Sequence, residues 1–257
     1  MTASPWPILT AELDRWQAAG RCLQLWLRDD DAVAPSPALD QLSACAERFR
    51  VPVLLAVIPM LAQESLAESL REKPLLLPCQ HGCRHQNHAP ASAKKSEFGP
   101  NRLPVEVDAE IAEARERLRD LLGEAVLPVF VPPWNRIDQG HAARLPRLGF
   151  AGLSCFLNHR NGPDGGPRLL NTHLDVMDWH RGRVGRDHAD LVAELVGLLS
   201  SRREERAGSD TLGLLLHHRD HDQTVWSFLD GLLACAAGHP AVALTDPRDL
   251  LRLAGTA

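Results

Sequence analysis

Long apolar runs are missing from this sequence. The opening residues, MTASPWPILTAELDRW, have no basic start and meet charge at Glu12 and Asp14, so neither a secretory signal nor a membrane anchor is readable and the cytoplasm is the expected compartment. A basic stripe is also missing: 28 Lys and Arg and 33 Asp and Glu, a formal net charge of -5, are spread along the chain, which argues against nucleic acid as a partner. Cysteine is sparse, with six residues scattered over 257, so buried thiols are expected rather than a disulfide framework. There are no internal repeats or low-complexity tracts, and the Pro/Gly clusters are short enough to be loops. A single domain over residues 1–257 is therefore expected.

What is present is enough hydrophobic residue, 44%, for a substantial core, arranged as short Leu- and Val-rich runs alternating with amphipathic stretches. This is the pattern of an α/β fold in which helices cover parallel strands. The runs predict strands at 22–28, 51–58, 75–79, 127–131, 150–156, 168–173, 211–217 and 241–245, a number near barrel size. Residues 37–50 place Leu39, Leu42, Ala46 and Phe49 at helical steps. Residues 107–122 do the same with Ile111, Ala114, Leu118 and Leu121, with Asp108 as the expected cap and Gly123 as the exit. Further helices are expected at 138–148, 188–203, 224–237 and 247–253. Residues 86–103 show neither period and read as a long loop, a candidate lid.

Polar clusters fall just beyond the predicted strands, at the rim where β/α barrels carry their chemistry. The first strand ends in Asp29, Asp30 and Asp31, adjacent carboxylates whose mutual repulsion a divalent cation would relieve; the plainer reading is a solvated turn that caps a helix. His81 and His85 lie four residues apart, and two imidazoles with a carboxylate make an open zinc site. Cys79 and Cys83 interleave with them and offer a competing closed, structural site. His217 and His218 follow an apolar strand, so one of them emerges at the mouth, able to protonate a leaving amine or simply buried against backbone. Trp134, after Pro132 and Pro133, offers a flat face to a sugar ring or acyl group.

Taken in order, these clusters resemble the polysaccharide deacetylases of carbohydrate esterase family 4. Members of that family show an Asp-Asp turn, a His-x-x-x-His, an aromatic after Pro, an Asp-Trp segment and a late Leu-x-His. The resemblance spans roughly Leu23 to His218. It implies an incomplete or distorted (β/α) barrel of seven to eight parallel strands. It implies a metal-dependent hydrolase that cleaves the N-acyl bond, typically N-acetyl, of a sugar or related small molecule. Carried over, Asp30 is the general base, Asp31, His81 and His85 are ligands to a divalent metal, with zinc (Zn2+) favoured, and His217 is the general acid with His218 in reserve. Asp29 and Asp30 remain the alternative base and ligand pair. Asp178 or Asp175 orients the acid, and Trp134 with Pro133 lines the substrate pocket.

Two departures bear on activity. Where the family has an arginine that pairs with the base, this chain has Val131, and Arg28 and Arg136 are the candidates to supply that charge. The first turn reads Arg-Asp where the family commonly has Thr-Phe. The expected partner is a small N-acylated substrate, and the rival expectation is a non-catalytic carbohydrate-binding module with a decayed site. Lys94 and Lys95 on the loop are either a solvated pair or a device that steers an anionic substrate.

Overall fold

In the computed structural model, which describes residues 4–205 and 209–252, the first strand sets the architecture. β1 (Leu23–Ala32) is ten residues long, and only Gln24 and Asp31 in it are less than fully buried. A strand covered on both faces belongs at the centre of a parallel sheet. It outruns its expected end because the acidic tip goes on pairing: Asp29 stands opposite Leu216 on one side and Leu55 on the other, and Ala32 opposite Val57.

The remaining strands are β2 (Val53–Val57), β3 (Leu76–His81), β4 (Leu127–Val131), β5 (Gly152–Leu153), β6 (Arg168–Leu169), β7 (Leu174–Asp175), β8 (Met177–Asp178), β9 (Val184–Gly185), β10 (Thr211–Leu216) and β11 (Val242–Leu244). Eight of them form one parallel path in the order β6-β5-β4-β3-β2-β1-β10-β7. β11 joins β1 at Leu23–Leu25, below the start of β2, and β8 and β9 make a separate antiparallel pair. The two ends of the path, β6 and β7, are separated only by residues 170–173. Leu170 and Thr172 donate their N–H groups to Leu153 and Cys155, whereas the next N–H, from His173, goes to Gly213 on β10. One extended stretch thus changes partner halfway, and the sheet curls into an incomplete, distorted barrel.

Side-chain alternation along the strands separates two cores. Leu25, Leu27, Val53, Leu55 and Val57 face outward into the main cluster, together with α1 (Trp6–Ala18), α2 (Pro37–Phe49), α6 (His188–Glu204) and α7 (Gln223–Ala237). Trp26, Leu54, Ala56, Cys79, Val129 and Val131 fill the barrel interior, which Leu250 of α8 (Pro247–Arg252) helps to close. Gly213 makes room for this filling, since a Cβ there would fall 2.7 Å from the Trp26 indole. A third cluster lies under α4 (Pro104–Leu122) and α5 (Gln139–Arg144) and includes Cys83, Phe98 and Phe130.

The structure departs from expectation at several elements. α1 and α3 (Glu64–Arg71) were not anticipated, although Leu9, Leu13 and Trp16 form a buried stripe on α1. α4 starts at Pro104, where proline suits the first turn, and Asp108 pairs with Arg144 instead of capping. The predicted strand at 150–156 keeps only two ladder residues: past Leu153 the Ser154 carbonyl turns to Arg28 inside the barrel, and a single isolated pairing of Phe156 with Thr172 follows. The expected helix 247–253 is α8, and residue 253 lies outside the described residues. All six cysteines are free; Cys79, Cys83 and Cys155 are buried, but Cys22 is exposed. Among the described residues, no helix is long and apolar enough to cross a membrane.

Candidate active site

The three adjacent aspartates do not face one another. Strand alternation sends Asp29 and Asp30 to opposite sides, and Asp31, at a φ of 74° where the register of β1 shifts, breaks the alternation. Each carboxylate then meets its own partner. Asp29 accepts from the His218 N–H (2.7 Å) and lies 2.5 Å from its Nδ1. Burial alone would raise the Asp29 pKa, yet the His218 charge and hydrogen bond hold it below the usual carboxylate range; the same pairing raises His218 against its own desolvation. Asp30 accepts from Arg28 Nη2 (2.9 Å), and Arg28 Nε also lies 2.9 Å from it. Asp31 faces His81 Nε2 at 3.2 Å and His85 Nε2 at 3.4 Å.

His81 is the last residue of β3, and its Nδ1 lies 3.0 Å from the Val131 carbonyl. A carbonyl only accepts, so Nδ1 carries the proton and a neutral His81 turns the Nε2 lone pair towards Asp31. His85 reaches the same point through a tight loop with Gly82 at φ 54° and His85 itself at φ 56°. A Cβ at Gly82 would come within 2.6 Å of Pro133, so only glycine fits. The loop is pinned from below by Glu97, a buried carboxylate that accepts from the N–H groups of Cys83 (3.2 Å) and Arg84 (2.8 Å).

Asp31, His81 and His85 bring one oxygen and two nitrogen donors within 4.8 Å of one another. Lone pairs that converge on a carboxylate repel unless a proton or a cation lies between them. This donor set fits a divalent metal and leaves coordination positions open, as catalytic sites require. Without a cation, a proton takes its place: burial would raise the Asp31 carboxyl, but the hydrogen bond from protonated His81 and the charges of the two imidazoles hold it well below its ordinary value, and, against its own burial, the nearby aspartates in turn raise His81. No other group of three His, Cys, Asp or Glu side chains converges in this way among the described residues. The closed site through Cys79 and Cys83 is not formed. The two thiols lie in separate apolar clusters, and burial pushes both pKa values up, which disfavours the thiolates a metal needs.

These residues open onto a cavity of about 930 Å³, lined by Asp30, Asp31, His81, His85, Trp134 and His217 among others. The Trp134 ring, on a backbone at φ 55°, stands 4.4 Å from the His85 ring. Five of the seven non-glycine residues with positive φ among the described residues line this cavity, and such strain clusters where function holds it in place. His217 Nε2 lies 4.0 Å from Asp30, its ring is edge-on to Trp179 at 4.6 Å, and its N–H donates to His221 Nε2 (3.1 Å). Asp175 lines the cavity and accepts from Trp179 Nε1 (2.8 Å); burial raises its pKa, and the nearby His217 charge opposes that rise.

Two expected site residues sit elsewhere. Pro133 is buried against Gly82 and does not line the cavity. Asp178 turns its carboxylate to the N–H groups of His180 and Arg181 (3.0 Å each), which leaves Asp175 as the acid near His217. Residues that sequence reasoning did not single out complete the surroundings. Asn135 Oδ1 accepts from Arg28 Nη2 (2.6 Å), and Ser154 Oγ accepts from Arg28 Nη1 (2.8 Å). Nothing in the spacing of Asn135, Ser154 or Glu97 marks them. Arg136, the other candidate for the missing charge, points instead to the Lys95 carbonyl.

No protein-family model and no curated protein matches the chain. Solved structures do match it in fold. A protein from Mycobacterium smegmatis described as a polysaccharide deacetylase superposes with a TM-score of 0.67 at 14% identity, covering 91% of this chain and 90% of that one. The family 4 carbohydrate esterase from Streptomyces lividans, in complex with acetate, gives 0.56 at 14% identity over 86% and 91%. A mutant of a family 4 pseudoenzyme with restored enzymatic activity also gives 0.56 at 14%, over 90% and 68%. At these identities the likeness is one of fold, and the chain has the fold of the carbohydrate esterase family 4 deacetylases.

Proposed function

We propose that this chain is a divergent, single-domain, metal-dependent deacetylase of carbohydrate esterase family 4, cleaving the N-acyl bond of a small sugar or related amine. The observation that carries the reading is the convergence of Asp31, His81 and His85 beside Asp30 and His217 in one cavity. Asp31, His81 and His85 are the ligands in this reading. A divalent ion held there, for which zinc suits the two-nitrogen, one-oxygen set, supplies Lewis acidity that polarises an amide carbonyl and lowers the pKa of water towards about 7.

The chain's own groups do the rest. Asp30, oriented by Arg28, takes the proton of the attacking water. His217, whose Nε2 lies 4.0 Å from Asp30 on the cavity wall, delivers a proton to the departing amine. Asp175 lines the cavity beside that imidazole, and Trp179, which Asp175 holds through its Nε1, packs against the ring edge. Trp134 forms a flat wall for the acyl group or sugar ring.

Acetate release from small N-acetylated sugars, measured with and without a chelator, tests the reading. Turnover should vanish with the metal and return when it is restored. Full activity in thoroughly stripped protein rejects the proposal.

A second reading, a carbohydrate-binding module with a decayed site, is favoured by Val131 at the position of the family arginine. Against it stands Arg28, which already supplies a guanidinium to Asp30. Activity in the unaltered chain excludes the binding-only reading, whereas activity that emerges from zero in Val131→Arg supports it.

A further inference from the structure

Two cations on the outer wall of the cavity have no carboxylate partner among the described residues. Lys95 and Arg136 both line the cavity, and neither forms an ion pair. They are held side by side through the backbone. Arg136 Nη1 donates to the Lys95 carbonyl (2.9 Å), and Ser96 Oγ donates back to the Arg136 carbonyl (3.3 Å). One step on, the Asp138 N–H donates to the Phe98 carbonyl (2.8 Å), while Glu97 is sunk among the N–H groups of the histidine loop. The stretch 95–98 is thus strapped to 136–138, and the Lys95 ammonium lies 5.9 Å from the centre of the Trp134 ring.

No other charge in the cavity neutralises this pair. Asp30 is engaged by Arg28, Asp31 by His81 and His85, and Asp175 by Trp179 Nε1 and the Met177 N–H. The third cation on the cavity wall, Arg183, already has Asp220 at 3.5 Å and the Trp179 ring at 5.6 Å. In a chain whose net charge is -5, two exposed cations at one rim of the cavity with no carboxylate opposite them leave a local positive field that a bound anion would meet. Lysine supplies a point charge and arginine a planar fork, a combination suited to an oxyanion beside an aromatic wall.

We propose that this wall is an oxyanion subsite, so that the substrate carries a carboxylate or phosphate in addition to its scissile N-acyl group. The substrate assignment rests on the hydrolase reading above, whereas the subsite itself can be tested without turnover. The probes are N-acetylglucosamine, its 6-phosphate and N-acetylmuramic acid, matched as neutral, phosphate-bearing and carboxylate-bearing compounds. Calorimetric binding to the wild type should favour an anionic probe over the neutral one by about tenfold or more, the scale of one charge-assisted hydrogen bond, and whichever anion wins identifies the group. The preference should fall with ionic strength and disappear in Lys95→Gln/Arg136→Gln. Lys95→Glu, a second variant, should disfavour the anionic probes outright, and an unchanged thermal midpoint shows that either protein is folded.

Equal binding of all three probes, or a preference that survives in the double variant, overturns the subsite. Turnover is read separately. Anion-selective binding without hydrolysis keeps the subsite and counts against the hydrolase reading, whereas equal kcat/KM for neutral and anionic probes keeps the hydrolase and rejects the subsite.

Discussion

Arg28 and Asp30 stand two residues apart on β1 with both side chains turned into the barrel, and the guanidinium Nε and Nη2 each lie 2.9 Å from the carboxylate. Both side chains are almost wholly buried, and Arg28 spends its remaining donors on Ser154, Cys155 and Asn135. On the proposed reading, Arg28 supplies from the first strand, and from the same strand face as Asp30, the charge that the resembled family draws from the fourth.

Removing that guanidinium should strand a buried carboxylate. Arg28→Met is expected to lose about 3–5 kcal/mol of stability, the usual result of breaking a buried ion pair from one side. The double variant Arg28→Met/Asp30→Asn should recover part of the loss, since the uncompensated charge goes with the second change. Urea unfolding of the two single variants and the double variant measures the coupling. Simple additivity would mean that the pair is not a unit.

The barrel was legible in the sequence where hydrophobic runs exceed a few residues. β2, β4 and β10 fall within or match their expected spans, because a strand buried on both faces must be apolar throughout. The short ladders of β5 and β6 were not legible, because the extended stretch that follows β6 divides its N–H groups between β5 and β10, a change of partner set by strands far apart in the sequence. At the site, the spacing of His81 and His85 marks a pair. That Asp31 faces them while its neighbours turn to Arg28 and His218 depends on strand alternation and one positive φ. Glu97 left no trace, since a carboxylate beside two lysines in an aperiodic loop reads as solvated until the loop above it is seen.

Glu97 should govern metal affinity without touching the metal. It accepts from the Cys83 and Arg84 N–H groups, which lie between the two histidines. Glu97→Gln turns one of those acceptors into a donor facing a donor. Metal affinity should fall by roughly 10- to 100-fold, the range for groups that orient ligands. Competition with a chromophoric chelator measures it. Added formate should restore part of the affinity in Glu97→Ala by filling the vacated N–H cradle, and unchanged affinity in both variants would assign Glu97 a purely architectural role.

Metal addition should also be visible as stability. A ligand present at a hundred times its Kd stabilises the folded chain by about 2.7 kcal/mol. For a chain of this length each kcal/mol moves the midpoint by roughly 2–4 °C, so zinc should raise the wild-type Tm by about 5–10 °C. Asp31→Asn should abolish that rise while leaving the apo midpoint close to the wild type, because asparagine tolerates the φ of 74° that Asp31 adopts. Differential scanning calorimetry with and without zinc decides the point. An equal rise in the variant would move the ion away from Asp31.

Acid should destabilise the chain through a histidine far from the metal centre. His173, half-buried beside β10, accepts the Gly213 N–H on Nδ1 (3.1 Å), and burial with the Arg202 charge pushes its pKa down to about 4. Between pH 6.5 and 4 the unfolded chain therefore binds a proton at this residue that the folded chain does not, so stability falls as pH falls through that window. His221, pushed down to about 4 by burial, acts in the same direction, whereas His218, raised by Asp29, stabilises at low pH and opposes it. His173→Asn isolates one contribution, because the asparagine Oδ1 can accept the same N–H without titrating. The loss of unfolding free energy between pH 7 and 4.5 should shrink by up to roughly 2 kcal/mol relative to the wild type. Parallel slopes for the two proteins in urea titrations at both pH values would show that His173 is protonated as readily in the folded chain as in the unfolded one.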